Sequence, residues 1–522
     1  MKHASRPLIA TLAITLAALT NLHAAVRLPA IFSDHMVLQR DAVVPVWGWA
    51  DPGEAVTVSI AGQTKSTTAD AKGKWSVKLD KLSANTPQTL VVSGRNKVTI
   101  NDVLIGEVWL GSGQSNMQMQ MKGVQNIEQE KATAKFPQIR MFTVKRNEQV
   151  APQSDCEGAW VLCSPETVET FSATAYFFGR ELHQNLGVPV GLIASSVGGT
   201  PIEAWTSMEK QEGRKEIAPV FEQWAEKLRT PFDPVKAEAQ YHKQYAAWRT
   251  NSAKRVAEGK PAGYAPQKPV PPREDKNYPA NLFNGMIAPI IPYAIRGAIW
   301  YQGENSGRAG FAQLYEYQLP LLIADWRERW GQGEFPFAWV QLANYRQVTN
   351  SPSPVSHWAM VRDGMLKSLT VTNTGMAVAI DIGMADNIHP INKQFVGRRL
   401  GLWARANVYG VKIPFSGPLP IGHKISGDEI TISFKHTDGG LVAKDGDLQG
   451  FVIAGADKQW HWAKARIEGE TVVVSSPDVK LPLAVRYAWA DNPKCNLYNG
   501  AGLPASPFRT DTDWRADQKP NP

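Results

Sequence analysis

Through the first hundred positions apolar and polar residues alternate. Val56, Val58 and Ile60 are spaced by Thr57 and Ser59, and Trp75, Val77 and Leu79 by Ser76 and Lys78. A period of two marks strands with one face in a core. Pro52-Gly53, Gly62, Gly73 and Pro87 interrupt at hairpin-like intervals, so residues 25–100 read as a small antiparallel β-sandwich. From Asn101 short apolar runs alternate with helical stretches. Val103-Leu104-Ile105 and Val108-Trp109-Leu110 precede a glycine-rich turn, and Phe171 to Leu186 has helical spacing. Val188 to Ser195, Gly297 to Tyr301, Phe337 to Leu342 and Met376 to Ile380 are further apolar runs. Strands separated by helices predict an α/β fold over 101–409, a parallel sheet with helices on both faces.

Residues 206–280 stand apart as an insertion. Phe221, Trp224 and Leu228 form one helical stripe, and Tyr241, Tyr245 and Trp248 another. Both are read as packing faces. A stretch containing Pro261, Pro266, Pro269, Pro271, Pro272 and Pro279 follows, and it cannot be helix. Residues 410–522 return to β patterning, with Ile430, Ile432 and Phe434 alternating before Val472 to Val474.

Residues 1–24 read as a secretory leader. Lys2, His3 and Arg6 precede an uncharged run from Leu8 to Leu19, and Leu22-His23-Ala24 offers a cleavage site. The run is short for a membrane span. The protein is therefore expected to be exported, periplasmic or secreted, and not membrane-spanning once cleaved. Removing Lys2 and Arg6, with no acid in that segment, takes the net charge from +8 to +6. With no basic arm or stripe, a nucleic-acid partner is not expected. Cys156, Cys163 and Cys495 are the only cysteines. Either Cys156 and Cys163 pair or all three remain thiols.

Gly111-Ser112-Gly113-Gln114-Ser115-Asn116-Met117 follows an apolar strand. Open α/β sheets place ligands beyond the carboxyl ends of their strands. A glycine turn there exposes Ser115 as a nucleophile beside backbone N–H donors. Asp386-Asn387-Ile388-His389-Pro390 sets a carboxylate three residues before a histidine, a spacing that lets Asp386 orient His389 as general base. Gly198-Gly199-Thr200 and Gln302-Gly303-Glu304-Asn305 also follow apolar strands and offer oxyanion donors. Each loop alone is weak. Four of them after four strands supply every part of an acyl-transfer site. No His-Glu-x-x-His or paired Cys-x-x-Cys points to a metal, and no cofactor is expected. A non-catalytic glycan-binding protein and a lipase or thioesterase on the same scaffold are the rival readings.

Several longer stretches carry a resemblance. They are Phe32 to Gln39, Gly106 to Met117, Gly198 to Trp205, Trp300 to Glu304, Ile388-His389-Pro390 and Val485 to Trp489. Together they resemble the sialate O-acetylesterase family of SGNH-type hydrolases. The resemblance implies a flavodoxin-like sheet with flanking β regions and hydrolysis of acetyl esters on sugar hydroxyls. It implies Ser115 as nucleophile, His389 as base and Asp386 as its orienting acid. It implies an oxyanion hole from the Ser115 N–H, Gly199 and Gln302, with Gly198 and Glu304 as secondary candidates. Glu304 also competes with Asp386 for the orienting role. The expected partner is an O-acetylated sugar, from sialic acid or from xylan- or xyloglucan-type polysaccharide.

Overall fold

The computed structural model describes residues 25–84, 86–260, 262–263, 265–352 and 355–511, so the expected leader lies outside the described residues. Five parallel strands form the centre: β1 (Lys97–Gly113), β2 (Val190–Ser196), β3 (Gly297–Tyr301), β4 (Phe337–Gln341) and β5 (Thr374–Val378). Their spatial order is 2-1-3-4-5, so the sheet reverses direction beside β1. Phe136–Thr143 adds a further parallel strand beside β2, and Trp160–Cys163 an antiparallel one at that edge.

Alternate residues of the sheet enter two cores. On one face Trp109, Leu192, Ile299 and Val340 pack on Phe177, Phe178 and Leu182 of α2 (Ala173–Leu186) and on Val396, Leu400 and Trp403 of α5 (Lys393–Asn407). On the other, Leu110, Ile193, Trp300 and Trp339 pack on Leu322, Ile323 and Trp326 of α3 (Tyr315–Trp330) and on Val361 and Met365 of α4 (His357–Lys367). Burial on both faces explains the continuous apolar runs of these strands. The short α1 (Ser115–Gln118) follows β1 directly. Helix α2 begins after Ser172, whose side chain accepts from the Ala175 N–H, and ends at Gly187 in the left-handed conformation.

The expected boundary after residue 100 falls inside β1. Its first half pairs antiparallel with Gln88–Ser93 in the N-terminal region, and its second half joins the central sheet. The strand passes between sheets at Asp102, which has φ +54°. Asp tolerates that region better than most residues. Here Arg140 (2.7 Å) and His35 (2.6 Å) hold its carboxylate in place.

In the insertion, Ala218–Arg229 buries Val220 and Trp224. Pro234–Ala257 buries only Ser252. Tyr241, Tyr245 and Trp248 stack on one another with ring centroids 5.8 and 5.3 Å apart and stay half-buried. The expected packing face thus meets no sheet. It is met instead by the proline-rich segment, through Trp248 Nε1 donating to the Gly263 carbonyl (3.3 Å) and a Lys268–Glu238 ion pair (3.3 Å).

Two antiparallel sheets of the C-terminal region close over Ile430, Ile432, Val472, Phe451, Val485 and Phe508. Buried Arg362 of α4 joins them to the centre by donating to the carbonyls of Leu342, Ala343, Ala490 and Asp491. The three cysteines are unpaired, and burial pushes the thiols of Cys156 and Cys163 up to about 12. Among the described residues no helix is long and apolar enough to cross a membrane.

Candidate active site

Register brings the chemical loops together. Gly113 lies level with Ser196 of β2 and Tyr301 of β3, so the loops after these three strands start side by side. Gly113 has φ +136°, and a Cβ on it would stand 2.1 Å from the Tyr301 carbonyl oxygen. Only glycine allows this turn. The chain then enters α1 at Ser115, which is partly exposed. Beneath it, Ser172 Oγ donates to the Met117 carbonyl (2.6 Å) and Thr174 Oγ1 to the Asn116 carbonyl (3.1 Å).

The Gly198-Gly199 loop touches the Ser115 turn. A Cβ on Gly198 would lie 3.3 Å from Ser115 Cβ. Gln118 Oε1 accepts from the Gly198 N–H (2.8 Å), Lys276 Nζ donates to the Gly198 carbonyl (2.7 Å), and Asn305 Nδ2 donates to the Gly199 carbonyl (3.0 Å). In a trans peptide the N–H points opposite the carbonyl before it. Holding the Gly198 oxygen therefore aims the Gly199 N–H the other way. Among the described residues neither the Ser115 nor the Gly199 N–H has an acceptor.

Gln302 is engaged within the protein itself. It is fully buried, and its amide nitrogen donates toward Gln114 Oε1 (3.2 Å), the Thr200 carbonyl (3.1 Å) and Ser306 Oγ (3.3 Å). An amide has two hydrogens, and three acceptors already compete for them. The expected oxyanion contact of Gln302 is thus replaced by a role in holding the loops after β1, β2 and β3 together.

His389 lies on the loop between β5 and α5. It lines one open groove, of about 580 Å³, with Ser115, Gln118, Met119, Asn387 and Ile391. Its Nε2 is buried without a partner among the described residues. Burial, and then the nearby Lys393, hold its pKa below the usual histidine value. Asp386 is exposed, and among the described residues no hydrogen bond joins it to the His389 ring. The local reason is that Asn387 Oδ1 takes the His389 backbone N–H (2.9 Å), an Asx turn that leaves Asp386 facing outward.

Glu304 is buried. Its Oε1 accepts from Asn116 Nδ2 (2.5 Å), its Oε2 has no partner among the described residues, and burial raises its pKa. Asn116 Nδ2 also donates to the Ile388 carbonyl (3.0 Å), and Asn116 Oδ1 accepts from Lys393 Nζ (2.5 Å). Sequence reasoning missed Asn116, Lys276 and Lys393. Lys393 had a signal: it stands three residues before Val396, on the stripe that continues to Leu400 and Trp403. A lysine on a buried face marks a partner or a function. Among the described residues no three His, Cys, Asp or Glu side chains are grouped to hold a metal ion.

Comparison with known proteins places this geometry. Residues 105–230 and 277–401 match the family described as carbohydrate esterase, sialic acid-specific acetylesterase. The unmatched gap falls within the exposed insertion. The sialate O-acetylesterase of Rattus norvegicus is 30% identical over 92% of this chain and 94% of its own. That of Homo sapiens is 30% identical over 92% of each chain. The crystal structure of a carbohydrate acetylesterase from Xanthomonas citri is 35% identical, with TM-score 0.79, over 94% of this chain and 100% of its own. The chain belongs to the sialate O-acetylesterase family of carbohydrate esterases and is an ester hydrolase.

Proposed function

We propose that this protein removes O-acetyl groups from sugar hydroxyls by a two-step acyl transfer, on an SGNH-type, flavodoxin-like scaffold. Ser115 attacks the acetyl carbonyl while His389 Nε2 takes its proton. The developing oxyanion sits between the Ser115 and Gly199 N–H groups. The sugar hydroxyl leaves with the proton from His389, and water releases acetate from the acetyl-enzyme by the same route. Orientation of His389 by Asp386 requires that exposed carboxylate to turn inward within its own loop, while Glu304 supports the loop through Asn116. The observation that carries this reading is one groove holding Ser115 and His389, whose Nε2 has no hydrogen-bond partner among the described residues.

The relatives are sialate O-acetylesterases, and that likeness favours an acidic sugar here too. Lys276 at the Gly198-Gly199 loop is faced by Arg146 and by the carboxylates of Asp275 and Glu148, and Glu148 pairs with Arg146, so the local charges balance and do not choose the sugar. Acetylated xylan or xyloglucan is the alternative. Residues 1–24 make export the matching location.

The test is acetate release from O-acetylated sialic acid and from acetylated xyloglucan by the wild type and by Ser115→Ala. The variant should lose about 10³-fold or more of kcat on whichever substrate the wild type turns over. Near-wild-type activity would sink the assignment. Faster release from xyloglucan would reject the acidic-sugar reading alone.

A further inference from the structure

Lys393 has no part in the acyl transfer above, yet it is fully buried at the start of α5, four residues after His389. Among the described residues its Nζ makes one hydrogen bond, to Asn116 Oδ1, and it lies 5.1 Å from the centre of the Tyr301 ring. Asn116 is the residue after the nucleophile. Its amide also reaches Glu304 and the carbonyl of Ile388, next to His389. One side chain thus ties together the loops after β1, β3 and β5, and Lys393 fixes which way that side chain faces. With its oxygen held by a lysine, Asn116 must present its nitrogen to Glu304 and Ile388.

We infer that Lys393 is a positioning residue for the ester hydrolysis. It locks Asn116 so that the Ser115 turn and the His389 loop keep their spacing, and its charge tunes the basicity of His389. The inference rests on the proposed roles of Ser115 and His389. The titratable groups facing Lys393 are Glu304, Tyr301 and His389, while Asp386, on the His389 loop, is exposed. Burial brings the Lys393 pKa down to about 7 despite Glu304. Ammonium and amine both donate, so the clamp holds in either state. Only the ammonium repels a proton from His389.

Three variants separate the two roles. Lys393→Met removes donor and charge, Lys393→Gln keeps a donor without charge, and Lys393→Arg keeps both. With Lys393→Met, kcat should fall about tenfold, as a small misplacement of reacting groups does, with KM within about twofold. In Lys393→Met and Lys393→Gln the acid limb of kcat/KM should move up by about half a pH unit. Lys393→Arg should restore the limb. The inference is overturned if folded Lys393→Gln keeps the wild-type limb, or if folded Lys393→Met keeps the wild-type kcat. Should Lys393→Met not fold, the limb of Lys393→Gln decides. Ser115→Ala run beside them separates this failure from failure of the mechanism: an active Ser115→Ala removes the mechanism, whereas an inactive one with unchanged Lys393 variants removes only Lys393.

Discussion

His389, the proposed base, lies half-buried beside Lys393, and burial and that lysine's charge both disfavour its protonated form. A base acts when neutral. A lowered pKa keeps it neutral further into acid, so activity disappears only as the pH falls through that lower value. The acid limb of kcat/KM on p-nitrophenyl acetate should therefore have its midpoint below the ordinary histidine value of 6.5. A midpoint at or above that value would contradict the buried setting. Ser115, Gly199 and His389 could be singled out in the sequence because their motifs are local, and the structure brings their loops side by side. Gln302 was legible as important but not in its task. Its neighbours Gln114, Thr200 and Ser306 come from three different segments, and only they decide that its amide is occupied.

At the scale of elements, helix α2 does two jobs at its N-terminus. Ser172 caps the helix and also donates to the Met117 carbonyl, while Thr174 holds the carbonyl of Asn116. The cap of a core helix is therefore also the floor of the Ser115 turn. Ser172→Ala should cost about 1–2 kcal/mol, read as a lower Tm by circular dichroism, because the cap is lost and the Met117 carbonyl is left without its donor. It should also lower kcat, since Met117 belongs to the turn that carries Ser115. An unchanged Tm would show that the cap is dispensable. The α2 stripe was readable from spacing, as were the strands of the central sheet. The stripe of Tyr241, Tyr245 and Trp248 was equally regular, yet it meets no sheet. Periodicity reports which face of a helix is apolar and says nothing about what stands opposite.

Across the whole molecule, β1 is hydrogen-bonded into the N-terminal region and into the central sheet, and one apolar core runs from Val46, Val58 and Leu79 to Leu110 and Trp300. Removing residues 25–94 would strip one edge of β1 and open that core. Such a truncation is expected to yield no soluble, active enzyme, and calorimetry of the intact chain should show the N-terminal region melting together with the central sheet. A soluble, active truncation would refute this coupling. By itself the sequence determined the strand and helix periods, the glycine turn at Ser115 and the family, because each is written in residues near one another in the chain. Only the tertiary structure decided how those pieces act. Register set Gly113 level with Ser196 and Tyr301, an Asx turn faced Asp386 outward, and Asn116 met Glu304 and Lys393 in a buried junction. Those contacts join residues up to 277 positions apart, and their energies depend on burial and direction, which spacing along a chain does not carry.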